Sequence, residues 1–205
     1  MSDSGPDSAT DSHASRMAKK KAARDRLMAG KTADKGLLIV HTGIGKGKSS
    51  AAFGMVLRCI GHGLKAGVVQ FIKGAWETAE HRVLSGFPEL VTFLAMGEGF
   101  TWETQDRDRD VAAAKRAWAA AAAMLADPAY RMVVLDELNV VLRYGYLPLG
   151  AVMAALQARP SGQHVVITGR HAPDDLVAAA GLVTEMALIK HPFHDGIKAQ
   201  PGIEY

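Results

Sequence analysis

Cysteine is nearly absent from this 205-residue chain, in which Cys59 is the only one. A single cysteine excludes an intrachain disulfide, and we expect Cys59 to be a small core residue. The N-terminus, MSDSGPDSATDSH, also lacks the apolar segment of a secretory signal. The sequence therefore predicts a protein of the reducing cytoplasm.

Long apolar runs and a strong charge of one sign are missing too. The alanine-rich run from Val111 to Ala126 is broken by Lys115 and Arg116, so we expect no membrane span. The net charge is only +3, and much of the positive charge lies in one N-terminal run, MAKKKAARDRLMAGK. This predicts no nucleic-acid surface on the folded part. Nucleic-acid binding or scaffolding by the basic run is a weaker alternative.

The composition changes near residue 35. Residues 1 to about 15 are rich in Ser, Asp and Gly and are expected to be disordered, and the basic run follows them. That run is either a solvated tail or a helix that lies beside a phosphate site. We therefore predict an N-terminal disordered or basic helical segment, 1–34, and a folded domain, 35–205.

Apolar segments alternate with helical patterns from residue 35 onwards. Six segments read as buried strands, and helices are expected between them, including a long one from Asp108 to Ala126 and another from Leu149 to Ala158. Such alternation predicts an α/β fold with a mostly parallel sheet of about six strands and helices on both faces. The six strand segments are GLLIVHT, KAGVVQFIK, LVTFLAM, RMVVLDE, HVVITGR and LVTEMALI.

The stretch HTGIGKGKSS, His41 to Ser50, almost matches a phosphate-binding loop, but Thr42 occupies the slot of the first glycine. It follows a strand segment and precedes a helical one, where free amides and the helix dipole attract phosphate. We expect the glycines to turn the loop amides inward, the lysines to neutralise phosphate charge and Ser49 to bind Mg²⁺. The predicted nucleotide-binding residues are Thr42, Gly43, Ile44, Gly45, Lys46, Gly47, Lys48, Ser49 and Ser50.

Charged residues follow two other strand segments. RMVVLDE ends in Asp136 and Glu137, which would lie near the loop at the carboxyl edge of a parallel sheet and could hold Mg²⁺. Arg170 ends the fifth segment at the same edge. It would either neutralise phosphate or form a surface salt bridge.

The loop alone leaves the reaction open, because ATPases, kinases and other transferases share it. The chain has no Asn-Lys-x-Asp sequence of the kind that GTPases use to read the base. Aromatic residues are scarce, at 6%, yet Phe100 and Trp102 occur together in the Gly- and acid-rich stretch MGEGFTWETQDRD. From physics alone they would pack into a core, and the alternative is that they face a ligand.

Six stretches, in order, closely resemble the P-loop type of ATP:corrinoid adenosyltransferase. They run from about Lys35 to Tyr205, and GFTWETQ and the KAQ-G-I-E-Y ending are much more specific than the loop. The N-terminal segment gives no comparable match. The stretches are VHTGIGKGKSSAAFG, VVQFIKGAW, GEGFTWETQ, VVLDELN, VVITGR and KHPFHDGIKAQPGIEY.

This resemblance implies a P-loop NTPase-like (RecA-like) fold and transfer of the 5′-deoxyadenosyl group of ATP to the cobalt of a reduced corrinoid, with release of tripolyphosphate. It also implies Mg²⁺ (or Mn²⁺), an electron donor such as a reduced flavin protein, and a homodimer. An ATPase or small-molecule kinase that releases ADP is the alternative.

The resemblance also gives roles to individual residues. Lys48 and Arg170 would stabilise the leaving triphosphate, and Ser49 and Glu137 would contact Mg²⁺, with Asp136 adjacent. Phe100 and Trp102 would exclude an axial ligand from the lower face of the corrinoid, and Glu80 is a weaker polar candidate near the site.

The chain departs from the family pattern in two respects. Ile44 replaces the common Asn of TGNGKGK, which removes any contact made by that side chain but leaves the backbone amide. Ser49 and Ser50 replace the commoner Thr pair and keep both hydroxyls.

His191 and His194 have the spacing of some metal ligands, but we interpret them as part of a polar C-terminal tail that could cover the substrate.

Overall fold

The protein is described by a computed structural model that covers residues 7–72, 78–97 and 106–203. It divides into two compact units, Met1–Asp34 and Lys35–Tyr205. The first unit contains helix α1, Asp7–Ala29, whose described side chains, residues 12–29, are exposed. The helix begins earlier than expected, within the segment for which the composition predicted disorder. Once the Ala- and Lys-rich run is helical, extending the helix backwards adds a hydrogen bond for each residue fixed.

The second unit contains a six-stranded sheet in which every pairing is parallel. Its strands are β1 Leu38–Thr42, β2 Ala66–Gln70, β3 Val91–Ala95, β4 Met132–Asp136, β5 His164–Thr168 and β6 Leu182–Glu185. The spatial order is β3-β2-β4-β5-β1-β6. The expectation of an α/β fold built on a parallel sheet is confirmed.

The helices described in this unit differ in how well their lengths match the sequence pattern. They are α2 Lys48–Gly61, α3 Ala79–Leu84, α4 Arg107–Ala126, α5 Leu138–Arg143, α6 Leu149–Ala158 and α7 Asp174–Ala179. A 3₁₀ turn, Pro192–Asp195, follows. The sequence did not predict α3 or α5, whose six residues show no clear helical period. Within the described ranges, no helix combines the length and the apolar character that crossing a bilayer requires.

The two faces of the sheet form separate cores because alternate residues of each strand point in opposite directions. On β4, Val133 and Leu135 belong to the cluster that includes α4 and α6, whereas Val134 belongs to the cluster that includes α2. The three side chains have no exposed surface. Full burial of a Val or Leu side chain contributes about 1.5–3 kcal/mol, so the central strands are held from both sides. Cys59 is buried in the α2 cluster, as expected.

Candidate active site

The phosphate loop, defined here as residues 43–47, connects the end of β1 to the start of α2. Gly43 and Gly47 have φ angles of 93° and 103°, in the region that favours glycine. The first turn of α2 contains no acidic residue, and Gly47 provides no side-chain cap. The amides of that turn and the positive end of the helix dipole therefore form a site suited to an anion.

Gly45 differs from the other loop glycines. Its φ angle is not positive, and its N–H donates to the carbonyl oxygen of Met186, 2.7 Å away, instead of pointing into the loop. An added Cβ would lie 2.5 Å from the carbonyl oxygen of Ala187. The expectation that all three glycines turn their amides inward is therefore wrong for Gly45 in this conformation. Its small size lets the loop pack directly against the segment after β6.

Three of the charged residues expected at the site, Lys48, Glu137 and Arg170, lie near one another. The Lys48 side chain is 7% exposed, and Nζ donates to the carbonyl oxygen of Gly45 at 2.5 Å. Burial lowers the pKa of the Lys48 amine; Glu137 acts in the opposite direction, and Arg170 adds to the lowering. Glu137 and Arg170 are thus close enough to act on Lys48, as the sequence predicted for the carboxyl edge.

Asp136 lies behind this edge rather than on it. The side chain has no exposed surface, and each carboxylate oxygen accepts a hydrogen bond. Gln70 Nε2 donates to Oδ2 at 2.9 Å, and Thr168 Oγ1 donates to Oδ1 at 2.7 Å. Asp136 is therefore better placed to support a metal ligand than to contact the metal itself.

Glu137 and Arg170 lie on neighbouring turns that follow β4 and β5. Glu137 has a φ angle of 63°, and its N–H donates to Thr168 Oγ1 at 2.9 Å. Gly169 precedes Arg170 with a φ angle of 127°, and its carbonyl oxygen accepts a hydrogen bond from Asn139 Nδ2 at 2.9 Å. Arg170 itself is exposed, so its guanidinium is accessible to a ligand.

The sequence interpretation missed Gln70, Thr168 and Asn139. All three are at most 1% exposed, and their side chains organise the carboxyl ends of β2, β4 and β5. Their positions in the sequence could have indicated this role, because Gln70 and Thr168 are the polar residues that end apolar strands. Such a residue must find a partner when it is buried.

The remaining loop residues have different surroundings. Thr42 Oγ1 accepts a hydrogen bond from the Ala172 amide at 3.1 Å. Ile44 is 50% exposed, Lys46 is exposed, and Lys46 contributes to lowering the pKa of Lys48. Ser49 is partly exposed in the first turn of α2.

Ser50 and Glu80 lie at one pocket of about 330 Å³. The pocket lies between α2, α3 and the C-terminal segment, and Gly202 and Ile203 form part of its wall. The structure therefore brings Glu80 close to the start of α2. Phe100 and Trp102 lie outside the described residues.

The protein has close relatives among curated proteins. It is 58% identical to a corrinoid adenosyltransferase of Pseudomonas aeruginosa over 94% of this chain and 95% of the relative. It is 55% identical to a corrinoid adenosyltransferase of Sinorhizobium sp over 94% and 91% of the two chains. The corrinoid adenosyltransferase CobA of Salmonella typhimurium is 51% identical over 84% and 87%.

The profile of one protein family covers most of the chain. That family is described as ATP:corrinoid adenosyltransferase BtuR/CobO/CobP, and it matches residues 34–205. The match includes the whole sheet, the phosphate loop and the charged residues at its carboxyl edge. With relatives of 51–58% identity over most of both chains, the assignment is unambiguous. The chain belongs to the ATP:corrinoid adenosyltransferase family.

Proposed function

We propose that this protein transfers the 5′-deoxyadenosyl group of ATP to the cobalt(I) of a reduced corrinoid and releases tripolyphosphate. The family match over residues 34–205 carries the proposal, because the phosphate loop alone would suit many ATP-using enzymes. The corrinoid would be cobyrinic acid a,c-diamide or cobalamin, in the synthesis or salvage of adenosylcobalamin.

The proposed reaction is a displacement at C5′ of ATP. The electron pair of cobalt(I) forms the cobalt–carbon bond, and the bond between C5′ and the α-phosphate oxygen breaks. The bonding pair leaves with the triphosphate, so no proton transfer is needed. The protein must align the reacting atoms and stabilise the departing charge.

Lys48, Arg170 and the first amides of α2 suit the second task. They are positive groups or hydrogen-bond donors grouped at one edge of the sheet. Lys46 and the loop amides would add to the same field, and Thr42, Ile44 and Ser50 would border the bound nucleotide. In this proposal the loop holds a leaving group rather than a phosphate that is about to be transferred.

Mg²⁺ (or Mn²⁺) fits the oxygen donors at this edge. We propose Ser49 and Glu137 as its protein ligands, because Mg²⁺ prefers oxygen and commonly keeps water and phosphate oxygens as its other ligands. When bound, the ion would neutralise charge on the triphosphate. Within the part of the chain that the structure describes, no three His, Cys, Asp or Glu residues form a metal-binding group.

Further parts of the proposal come from the family resemblance. Phe100 and Trp102 would cover the lower face of the corrinoid and exclude an axial ligand, which makes cobalt(II) easier to reduce. An electron donor such as a reduced flavin protein would supply cobalt(I). We also propose that the protein acts in the cytoplasm as a homodimer and that residues 35–205 form the enzymatic domain.

The test is incubation with ATP, Mg²⁺ and a chemically reduced corrinoid, followed by absorbance of the cobalt–carbon bond and analysis of the phosphate products. We expect an alkylated corrinoid and tripolyphosphate in equal amounts. Formation of ADP or orthophosphate without alkylated corrinoid would contradict the proposal and would indicate an ATPase or kinase.

A further inference from the structure

Three neighbouring strands end in buried polar side chains that bond to one another. Gln70 ends β2, Asp136 ends β4 and Thr168 ends β5, and Gln70 and Asp136 are register partners. Each side chain is at most 1% exposed. Asp136 accepts one hydrogen bond from each neighbour, at 2.9 Å from Gln70 and 2.7 Å from Thr168. We call these three residues the edge row.

The hydroxyl of Thr168 connects the edge row to Glu137. It has one proton; because it accepts the Glu137 N–H at 2.9 Å, that proton is free to be donated to Asp136. The direction of both hydrogen bonds is therefore fixed. Removal of the hydroxyl would leave a buried carboxylate oxygen and a backbone N–H without this partner.

Glu137 needs such support because its backbone conformation is unfavourable. Its φ angle of 63° lies in the left-handed region, which costs a non-glycine residue on the order of 1 kcal/mol or more. Gly169 gives the side chain room, since an added Cβ there would lie 3.2 Å from Glu137 Oε2. The conformation that directs the Glu137 carboxylate thus depends on its hydrogen bond to Thr168 and on the space at Gly169.

We propose that Gln70 and Thr168 are positioning residues that hold Glu137, through Asp136 and the Thr168 hydroxyl, in the place where its carboxylate contacts the metal. Asp136 supports the site from behind, and Glu137 is the direct ligand. The inference rests on the proposed function for the identity of the metal site. Such outer partners of a metal ligand commonly change metal affinity when they are replaced.

Two substitutions at one position separate the hydroxyl from the shape of the side chain. Thr168→Val removes the hydroxyl, and Thr168→Ser keeps it. Thr184→Val is the matched control, since Thr184 is exposed on β6. The full-length variants are titrated with MnCl₂ in the presence of ATP, and free Mn²⁺ is followed by electron paramagnetic resonance.

We expect Thr168→Val to weaken Mn²⁺ binding about tenfold or more, within the range seen for outer-shell changes. Thr168→Ser should recover most of the affinity, and Thr184→Val should match the unsubstituted protein. Thermal unfolding of every variant shows whether a loss of Mn²⁺ binding comes merely from a loss of folded structure. Equal Mn²⁺ affinity in the Val and Ser variants, or no ATP-dependent Mn²⁺ binding by the unsubstituted protein, would overturn the inference.

Gln70→Met provides a second variant if Thr168→Val does not fold. It removes the donor to Asp136 and keeps the length of the side chain. Among the described residues, Gln70 Oε1 has no hydrogen-bond partner, so the substitution leaves none of them without a partner at that atom. We expect a loss of Mn²⁺ affinity smaller than the roughly tenfold loss expected of Thr168→Val, because the Thr168 hydroxyl still accepts the Glu137 N–H. Unchanged affinity in a folded Gln70→Met would remove Gln70 from the proposal.

The adenosyl-transfer assay on the unsubstituted protein is run beside the titrations. Loss of Mn²⁺ binding in Thr168→Val, without any transfer by the unsubstituted protein, would support the edge row and reject the proposed function. Normal transfer by the unsubstituted protein, together with unchanged Mn²⁺ binding in Thr168→Val, would support the proposed function and reject the role of the edge row.

Discussion

Lys48 begins α2 with almost no exposed surface, and burial lowers the pKa of its amine. The attraction of Glu137 opposes this effect but does not cancel it. The charged form is therefore less favourable in the folded protein than in the unfolded chain. A bound triphosphate would reverse that balance, because it would place negative charge beside the amine. Lys48 is thus suited to ligand binding at some expense to the stability of the free protein.

Lys48→Met tests this balance at constant side-chain length. Without ATP, we expect the variant to be at least as stable as the unsubstituted protein at pH values below the lowered lysine pKa. The difference should shrink as the pH rises between that pKa and 10.5, since the unfolded lysine binds more protons in this window. Denaturant unfolding at several pH values measures the difference.

The second arm of this experiment adds ATP and Mg²⁺. ATP should raise the melting temperature of the unsubstituted protein but have little effect on Lys48→Met, because stabilisation follows affinity. Lys115→Met, at an exposed position on α4, is the matched control and should respond to ATP normally. A full ATP response in Lys48→Met would show that the buried amine does not contribute to nucleotide binding.

At the scale of elements, the sequence predicted those with long or uninterrupted patterns. Buried segments such as RMVVLDE are apolar because helices cover both faces of the sheet, and α4 is long enough to show its boundaries. The short helices α3 and α5 are held by tertiary packing and left no clear period in the sequence. Periodicity therefore found the layers of the fold but missed α3 and α5.

The candidate site, like the fold, was predictable only where its residues belong to local sequence patterns. Lys48, Glu137 and Arg170 could be proposed from the sequence because loop chemistry and strand ends are local patterns. The hydrogen bonds of Gln70 and Thr168 to Asp136 join residues 66 and 32 positions apart in the chain. Such contacts depend on the strand order β2-β4-β5, which the alternation of elements does not determine.

The contact between the phosphate loop and the segment after β6 leads to a prediction about Gly45. Gly45→Ala would place a methyl group against the Ala187 carbonyl oxygen, so the loop or the segment must move. We expect a loss of about 1–3 kcal/mol of stability, typical of overpacking. ATP binding should weaken as well, because the loop amides would shift. Thermal unfolding and titration calorimetry measure the two effects.

Gly54→Ala is the matched control for Gly45→Ala. Gly54 lies within α2, and an added Cβ would meet no atom of the described residues within 4 Å apart from its own stretch of helix. Alanine should therefore stabilise the helix there by about 0.5–1 kcal/mol and leave ATP binding unchanged. Equal effects of the two substitutions would contradict the close packing of the loop.

At the scale of the whole molecule, the described core belongs to the second unit. Its buried apolar side chains, among the described residues, extend from Leu38 to Leu176. The edge row, the phosphate loop and the pocket that includes Glu80 also lie in residues 35–205. The profile of the family begins at residue 34, close to the division between the units. Folding and nucleotide binding should therefore depend on the second unit alone.

A chain that begins at Lys35 tests this expectation. We expect its melting temperature to stay within about 2 °C of the full chain, no more than the shift expected from losing 1 kcal/mol in a domain of this size. Its ATP affinity should change less than about twofold, which corresponds to a few tenths of a kcal/mol. The alternative, in which the basic run supplies charge to bound phosphate, predicts a large loss of affinity that becomes smaller at high salt.

A full-length variant with Lys19, Lys20 and Lys21 replaced by Gln keeps the helix-forming residues and removes three charges, so it separates the effect of charge from the effect of removing the segment. Weak ATP binding by both proteins would show that these lysines serve the nucleotide site; weak binding by the shortened chain alone would assign the contribution to other residues of the first unit.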